Sequence, residues 1–366
     1  MKILNIIQGT HIGGMEQSSL LLMKEMISQG HQISLISLTK LGLLSKELDE
    51  SNIESIGFSY RGPGGVFDLR NYRERINLIK PDSIMMTGHS LVGMLALLGR
   101  KNQSRVLFVH FHHKNVKPTW LWKIIYFIAN KVFDKIYFAS NFIMNEAINL
   151  YPKIMDKAAY LPNPLPPCKV ITKDNKSLSR ARLHINESDL VIGNAGWLIQ
   201  RKRFDVLLNV CAEIKKLNSN VKVLIAGDGE ERENLEELSI NLNLSSEVIW
   251  LGWQDDLEDF YNSIDIMLFN SDWDAVGLSP LEAIQRGIPT FASVLNGGLK
   301  EILNKEFCSF LIEEHDVKVL ARKINEGISN RDKLSELTLR CRDHVNYVSN
   351  PRSIATEVLT NLKMQE

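Results

Sequence analysis

Residues 265–298 read DIMLFNSDWDAVGLSPLEAIQRGIPTFASVLNGG. The short apolar run at 265–269 is a strand pattern. Ser279 and Glu282, with Pro280 between them, form a helix capping box whose first helical position is the proline. A second short apolar run at 288–292 predicts another strand. Strand, helix and strand in succession build a parallel sheet, so the stretch points to an α/β fold.

The alternation continues on both sides. Strands are predicted at 190–194, 221–226 and 248–251, with helical patterns between them. In the first half, strands at 3–7, 33–38, 83–87, 106–109 and 135–139 alternate with helices over 16–29, 69–80 and 120–133. The halves meet at Leu161-Pro162-Asn163-Pro164-Leu165-Pro166-Pro167, whose four prolines exclude helix and central strand and mark an inter-domain linker. Apolar residues at 354, 358, 359 and 362 give the chain end an amphipathic helical spacing. The expected organisation is a doubly wound unit at 1–167, a second at 168–345 and a final helical segment at 346–366. A chain of 366 residues fits this, because single cores stop growing beyond roughly 250–300 residues.

With 44% hydrophobic and 23% charged residues the composition is globular, neither disordered nor fibrous. Cys168, Cys211, Cys308 and Cys341 have no paired or metal-like spacing and read as small hydrophobes in a reducing compartment. The opening MKILNIIQG reads as a strand, not a signal peptide, and the longest apolar-rich stretch, 120–129, is half of what a membrane span needs. A net charge of zero argues against a nucleic-acid binder, but the sum divides at the linker. Residues 1–167 hold 19 Lys and Arg against 12 Asp and Glu, while residues 168–366 hold 24 against 31. The basic first half suits an acceptor on an anionic membrane face.

Ligands of open α/β sheets bind beyond the carboxyl ends of the strands, and the notable motifs lie there. Gly9 to Glu16 includes paired glycines, Gly13 and Gly14, that allow close backbone approach to an anion at a helix start; an ordinary strand-to-helix turn would look the same. Arg201, Lys202 and Arg203 follow the 190–194 strand and can neutralise a diphosphate, or form a solvated charge run. Backbone N–H groups at Gly277 to Ser279 can meet a phosphate, with Asp274 and Glu282 on sugar hydroxyls; a purely structural capping carboxylate is the other reading of Glu282. Asp272-Trp273-Asp274 has the DxD form that holds a divalent cation in some sugar transferases, a pattern frequent by chance. His110, His112 and His113 lack the companions of a metal site, and one cleft-facing histidine is the preferred reading, with His89 similarly placed.

Taken together, these residues resemble the retaining glycosyltransferases of the GT-B type known as glycosyl transferases group 1, family 4. The resemblance rests on 265–298, on Gly196 to Lys202, on VLIAGDGEERENLEEL and VIWLGW, and more loosely on Gly13-Gly14, KPD at 80–82, VLFVH at 106–110, ASNF at 139–142 and LPNPL at 161–165. It implies two Rossmann-like domains facing across a cleft, with the C-terminal helix crossing back to the first. It also implies that Gly13 and Gly14 approach the donor phosphates, Lys202 with Arg201 balances the leaving diphosphate, and Glu282 binds the ribose. Asp274 would contact the donor sugar, backbone around Val276, Gly277 and Leu278 the sugar and distal phosphate, and His110, with His112 second, the transferred sugar. Two departures stand out: Asp274 replaces a Glu, and Trp197 occupies a place where many members carry a phosphate-binding Arg.

The function implied is transfer of a hexose from a UDP- or GDP-sugar, with retention and without a metal or other cofactor, to a glycan or lipid-linked acceptor in bacterial surface polysaccharide synthesis. The expected setting is cytoplasmic, at the inner face of the membrane; the oligomeric state is open. A nucleotide-sugar epimerase of the same build and a catalytically silent partner subunit are the alternatives. His112, Lys117, Trp120 and Lys123 are the acceptor-side candidates, within a segment that either buries an aromatic face or meets an anionic membrane.

Overall fold

The structure, a computed structural model, describes residues 1–10, 13–59, 68–100, 103–110, 117–217, 220–303, 311–312 and 315–363. His11, His112, His113, Lys114, Cys308 and the 61–65 segment lie outside the described residues. The chain forms two compact units, Met1–Pro166 with Ser349–Glu366, and Pro167–Val348.

Among the described residues the first unit is built on seven parallel strands: β1 (Lys2–Ile7), β2 (Gln32–Ser37), β3 (Glu54–Gly57), β4 (Ser83–Thr87), β5 (Ser104–Val109), β6 (Lys135–Phe138) and β7 (Ala158–Tyr160). Their order is β3-β2-β1-β4-β5-β6-β7. Ile3 to Ile7 and Ser83 to Thr87 are buried throughout, the unbroken pattern of strands covered on both faces. The helix Pro351–Lys363 returns to this unit and packs on the helix Gly14–Ser28 and on β5. Ile354, Ala355, Val358, Leu359 and Leu362 are its buried face, and Ser83 Oγ donates to the Leu362 carbonyl at 3.0 Å.

Among the described residues the second unit has six strands: β8 (Leu190–Ala195), β9 (Val221–Ala226), β10 (Val248–Gly252), β11 (Ile266–Asp274), β12 (Thr290–Gly297) and β13 (Leu311–Ile312), in the order β10-β9-β8-β11-β12-β13. In each sheet the order reverses direction once, between β1 and β4 and between β8 and β11. At such switch points the loops leaving the strands diverge and open a crevice.

The two units divide between Pro166 and Pro167, within the proline segment. Leu161 and Leu165 of that segment are buried in the first unit, and the Leu165 N–H donates to the Ser349 carbonyl at 3.0 Å. Two details depart from the sequence reading. Residues 346–348 complete the helix Arg331–Val348, so the returning segment begins at Ser349. The predicted strand at 265–269 runs on as β11 to Asp274, because β12 stays paired with it through Trp273↔Asn296 and Asp274↔Gly297.

Candidate active site

In the second unit the switch point is crossed by two loops. β8 ends at Ala195, and the chain passes Gly196 and Trp197 into a 3-10 turn, Gln200–Lys202, before the helix Phe204–Lys215. β11 ends at Asp274, turns at Gly277 and enters the helix Leu278–Gln285. Ser271 Oγ ties the loops together, donating to the carbonyls of Arg201 (3.2 Å) and Trp273 (2.8 Å).

This arrangement brings the predicted cations to the predicted carboxylate. Lys202 Nζ donates to Asp274 Oδ2, and Arg201 reaches the same oxygen at 3.4 Å and the Trp273 carbonyl at 3.1 Å. Each cation also lies over a ring, Arg201 4.6 Å from the Trp273 centroid and Lys202 4.9 Å from that of Phe269. The Lys202 and Asp274 side chains are 14% and 15% exposed, so the pair is largely desolvated. Burial opposes ionisation of Asp274, but the Lys202 ammonium and Arg201 guanidinium outweigh it and hold the carboxyl below its ordinary value.

The capping box does not form. The helix starts two residues earlier, at Leu278, because Gly277 supplies a left-handed N-cap with φ +81°. Ser279 therefore lies inside the first turn and donates to the Ala195 carbonyl at 2.9 Å, while Glu282 accepts from the Tyr261 hydroxyl at 2.7 Å. Pro280 is the third helical residue and not the first. The N–H groups of Gly277, Leu278 and Ser279 have no partner among the described residues, and Val276 is buried. A helix start without a side-chain cap leaves donors and a positive dipole end for an anion. Glu282 is itself buried, and burial raises its carboxyl above the usual range despite the Tyr261 hydrogen bond and the Arg286 charge.

A second network braces the same loop. Arg203 adopts a left-handed backbone with φ +49° and pairs with Asp205 at 3.0 Å and with Asp272 at 3.2 Å. Asp272 also accepts from His315 Nε2 at 3.1 Å, and His315 Nδ1 meets Ser293 Oγ. Both carboxylates of the DxD triplet are thus engaged by side-chain cations or imidazole. Among the described residues no cluster of His, Cys, Asp and Glu has the arrangement of a metal site. Sequence reasoning missed Tyr261 and His315, which lie 21 and 43 positions from their partners Glu282 and Asp272, distances that carry no local signal. Trp197, where a phosphate-binding Arg was expected, is half exposed and packs on Trp253 with centroids 4.5 Å apart.

The remaining candidates belong to the first unit. Gly13 is the N-cap of the helix Gly14–Ser28, without a side-chain cap bond, and a Cβ there would stand 2.6 Å from Glu16 Oε2. His110 follows β5 and lines a cavity of about 20 Å³, room for roughly one water, with Asn163, Thr87 and Tyr137. Its Nδ1 is buried without a partner among the described residues. Burial lowers the imidazole to about 4, with Asn163 partly offsetting, so the ring is neutral at physiological pH. His89 packs on Trp122 at 4.8 Å. Trp120 and Lys123 are exposed, and Lys117 is half-buried.

Two family models match end to end: glycosyltransferase family 4 over residues 12–167 and glycosyl transferases group 1 over residues 175–343. The lipopolysaccharide core biosynthesis glycosyltransferase LpsE of Rhizobium meliloti is 27% identical over 164 residues, 45% of this chain and 47% of that protein. This chain thus aligns with about half the length of that relative. An uncharacterized glycosyltransferase of Haemophilus influenzae is 22% identical over 90% of this chain and 91% of its own length. Among solved structures, Anabaena HepE in complex with UDP and glucose superposes with a TM-score of 0.85 at 19% identity, over 100% of both chains. WaaG, a glycosyltransferase involved in lipopolysaccharide biosynthesis, gives 0.76 at 14% identity, again over 100% of both. At these identities the structural likeness establishes the fold.

Proposed function

The chain belongs to the group 1, family 4 glycosyltransferases of the GT-B type, and from that premise we propose that it is a retaining, metal-independent hexosyltransferase. Its donor is a UDP- or GDP-sugar, and its acceptor a glycan or lipid-linked sugar of bacterial surface polysaccharide synthesis, presented at the inner face of the membrane. Relatives named for lipopolysaccharide core and capsular polysaccharide synthesis, and a structural neighbour solved with UDP and glucose, support the substrate class.

The observation that carries the reading is the meeting of Lys202, Arg201 and Asp274 beside the uncapped start of the helix Leu278–Gln285. Breaking the anomeric C–O bond builds positive charge on the sugar ring and leaves the electron pair on the diphosphate. Two cations and three N–H groups fixed in place stabilise that anion without reorganisation. Asp274 holds the cations before the donor enters and exchanges them for the diphosphate, its carboxylate then serving the sugar hydroxyls. Glu282, held by Tyr261, presents its remaining oxygen to the ribose. Gly14 and the neutral His110 keep the roles implied by the resemblance, toward the donor phosphates and the transferred sugar. The acceptor hydroxyl attacks from the face the leaving group departs, and its proton passes to the departing phosphate oxygen, which gives retention.

The test is turnover of UDP- and GDP-hexoses with and without chelator, with the anomeric proton followed by NMR. Hydrolysis or transfer that retains the anomer and ignores chelator is expected. An inverted product, loss of turnover on chelation, or release of an epimer would each overturn the corresponding part of the proposal.

A further inference from the structure

In the second unit, side chains from separate elements converge on the carboxylate of Asp272. Its Oδ1 accepts from Arg203 Nη1 at 3.2 Å and from His315 Nε2 at 3.1 Å, and the other ring nitrogen of His315 meets Ser293 Oγ. Asp272 lies on β11, Ser293 on β12, Arg203 before the helix Phe204–Lys215, and His315 in the chain after β13. Ser293 is completely buried and the His315 side chain is 9% exposed, whereas those of Asp272 and Arg203 are 39% and 30% exposed. The imidazole is the fixed member of the group, and the carboxylate and guanidinium are the members that water can loosen.

We propose that His315 is a positioning residue of the anion site: anchored on Ser293, it holds Asp272 on Arg203 and so fixes the Gln200–Lys202 turn that carries Arg201 and Lys202. This rests on the diphosphate reading of those two cations.

An ion pair as exposed as that of Arg203 and Asp272 is a weak tether on its own, since water competes for both groups and screens the charge. A donor that is itself fixed restrains the carboxylate to one orientation. A carboxylate at Nε2 and a hydroxyl at Nδ1 set the tautomer: the neutral ring carries its proton on Nε2, donates to Asp272 and accepts from Ser293. Burial and the nearby Arg203 charge hold the imidazole below its ordinary value despite the Asp272 hydrogen bond, so the ring is neutral at physiological pH.

Arg203 needs the restraint. Its left-handed backbone, φ +49°, is costly for a residue with a side chain and persists where contacts impose it. It directly follows Lys202, and its N–H closes the turn on the Gln200 carbonyl at 3.1 Å. Its other ion-pair partner among the described residues, Asp205, is two positions further along the same segment and moves with it. Asp272 is the partner that joins Arg203 to the sheet. Ser271 ties the Arg201 end of the turn to β11, Asp272 ties the Arg203 end, and Lys202 lies between the two ties.

The experiment is isothermal titration of pyrophosphate into the full chain, with the melting temperature of each variant recorded. His315→Phe, which keeps a ring and loses both hydrogen bonds, should raise the Kd about fivefold, the size of coupling expected between contacting groups. His315→Gln, whose amide donates from the Nε2 position, should recover most of that loss. In an Asp272→Ala background, His315→Phe should change the Kd by less than about twofold, because the contact it acts through is already gone. A merely structural role would lower the melting temperature and leave the Kd of the folded protein where it was. If His315→Phe does not fold, Ser293→Ala takes its place, with a rise of about threefold that the Asp272→Ala background again removes. Lys202→Ala separates the two readings. A wild type that does not bind pyrophosphate, or binding that Lys202→Ala leaves unchanged, would overturn the anion site and this inference with it. Binding that needs Lys202 but is unaffected by His315→Phe, or is not recovered by His315→Gln, or is weakened equally in the Asp272→Ala background, would overturn this inference alone.

Discussion

Asp274→Asn should have opposite effects on the protein alone and on its affinity for a diphosphate. In the wild type Asp274 is shared by Lys202 and Arg201 in a largely desolvated setting. Removing one partner of a fully buried pair costs about 3–5 kcal/mol, because the other charge is left uncompensated. Here the penalty is smaller, since Arg201 retains the Trp273 carbonyl and ring and Lys202 retains the face of Phe269. We expect a loss of about 2–3 kcal/mol, which at about 2–4 °C per kcal/mol for a unit of this size lowers its melting temperature by about 5–10 °C.

Inorganic pyrophosphate reverses the sign. In the wild type the anion must displace a carboxylate from both cations, whereas in the variant it finds them unopposed. Recovering about half of the lost stabilisation corresponds to a tenfold tighter Kd, since about 1.4 kcal/mol is a factor of ten. Calorimetric melts across a pyrophosphate series and isothermal titration read both quantities. The wild-type carboxyl is held below its ordinary value, so its stabilisation is fully present above the unfolded value near 3.9 and is lost as pH falls through the lower folded value. The difference between wild type and variant should be flat from about pH 8 to 5 and shrink only in stronger acid. A variant as stable as wild type, or one that binds pyrophosphate no more tightly, would refute the reasoning that the pair guards an anion site.

Three further outcomes follow from the same geometry. His110 should titrate by NMR near 4 and not near 6.5; because the folded value is depressed, its stabilisation is present above about 6.5 and declines as pH falls toward 4, and His110→Gln should remove that decline. Tyr261→Phe should lower stability at neutral pH by about 1.5–3 kcal/mol, by depriving a buried carboxylate of its donor. That deficit should shrink as acid protonates Glu282, whose folded value is already raised, and an unchanged melting temperature at neutral pH would mean the hydroxyl is not bonded there. Gly297→Ala would place a Cβ 1.9 Å from the Asp274 carbonyl in a backbone with φ +143°. Backbone must move, so a loss of about 3 kcal/mol or more is expected in denaturant melts; one below about 1 kcal/mol would show that the close approach is wrong.

The strands were legible because parallel strands covered on both faces must be continuous apolar runs, and 83–87 and 221–226 appear where the residues alone place them. The end of β11 was not, although it holds half of the candidate site. Asn270 and Ser271 are completely buried yet polar, and Asp272 to Asp274 read as loop. Their strand character comes from β12, whose residues are 23 positions away in the chain, so no local window contains it. The capping box failed for a related reason. Ser279 and Glu282 have the right types and spacing, but Gly277 starts the helix earlier, and both side chains find partners in other elements, Ala195 of β8 and Tyr261. In each case a local rule is overridden by tertiary contacts, and both overrides fall on the β8 and β11 loops. Departures from local rules at a site are expected where side chains are held for binding and not for stability. An ordinary turn would have used Ser279 to cap its helix and left Lys202 in water. Here the helix start stays uncapped and the lysine is held against a carboxylate, so donors and a cation are kept together at one place, as the proposed anion site would use them.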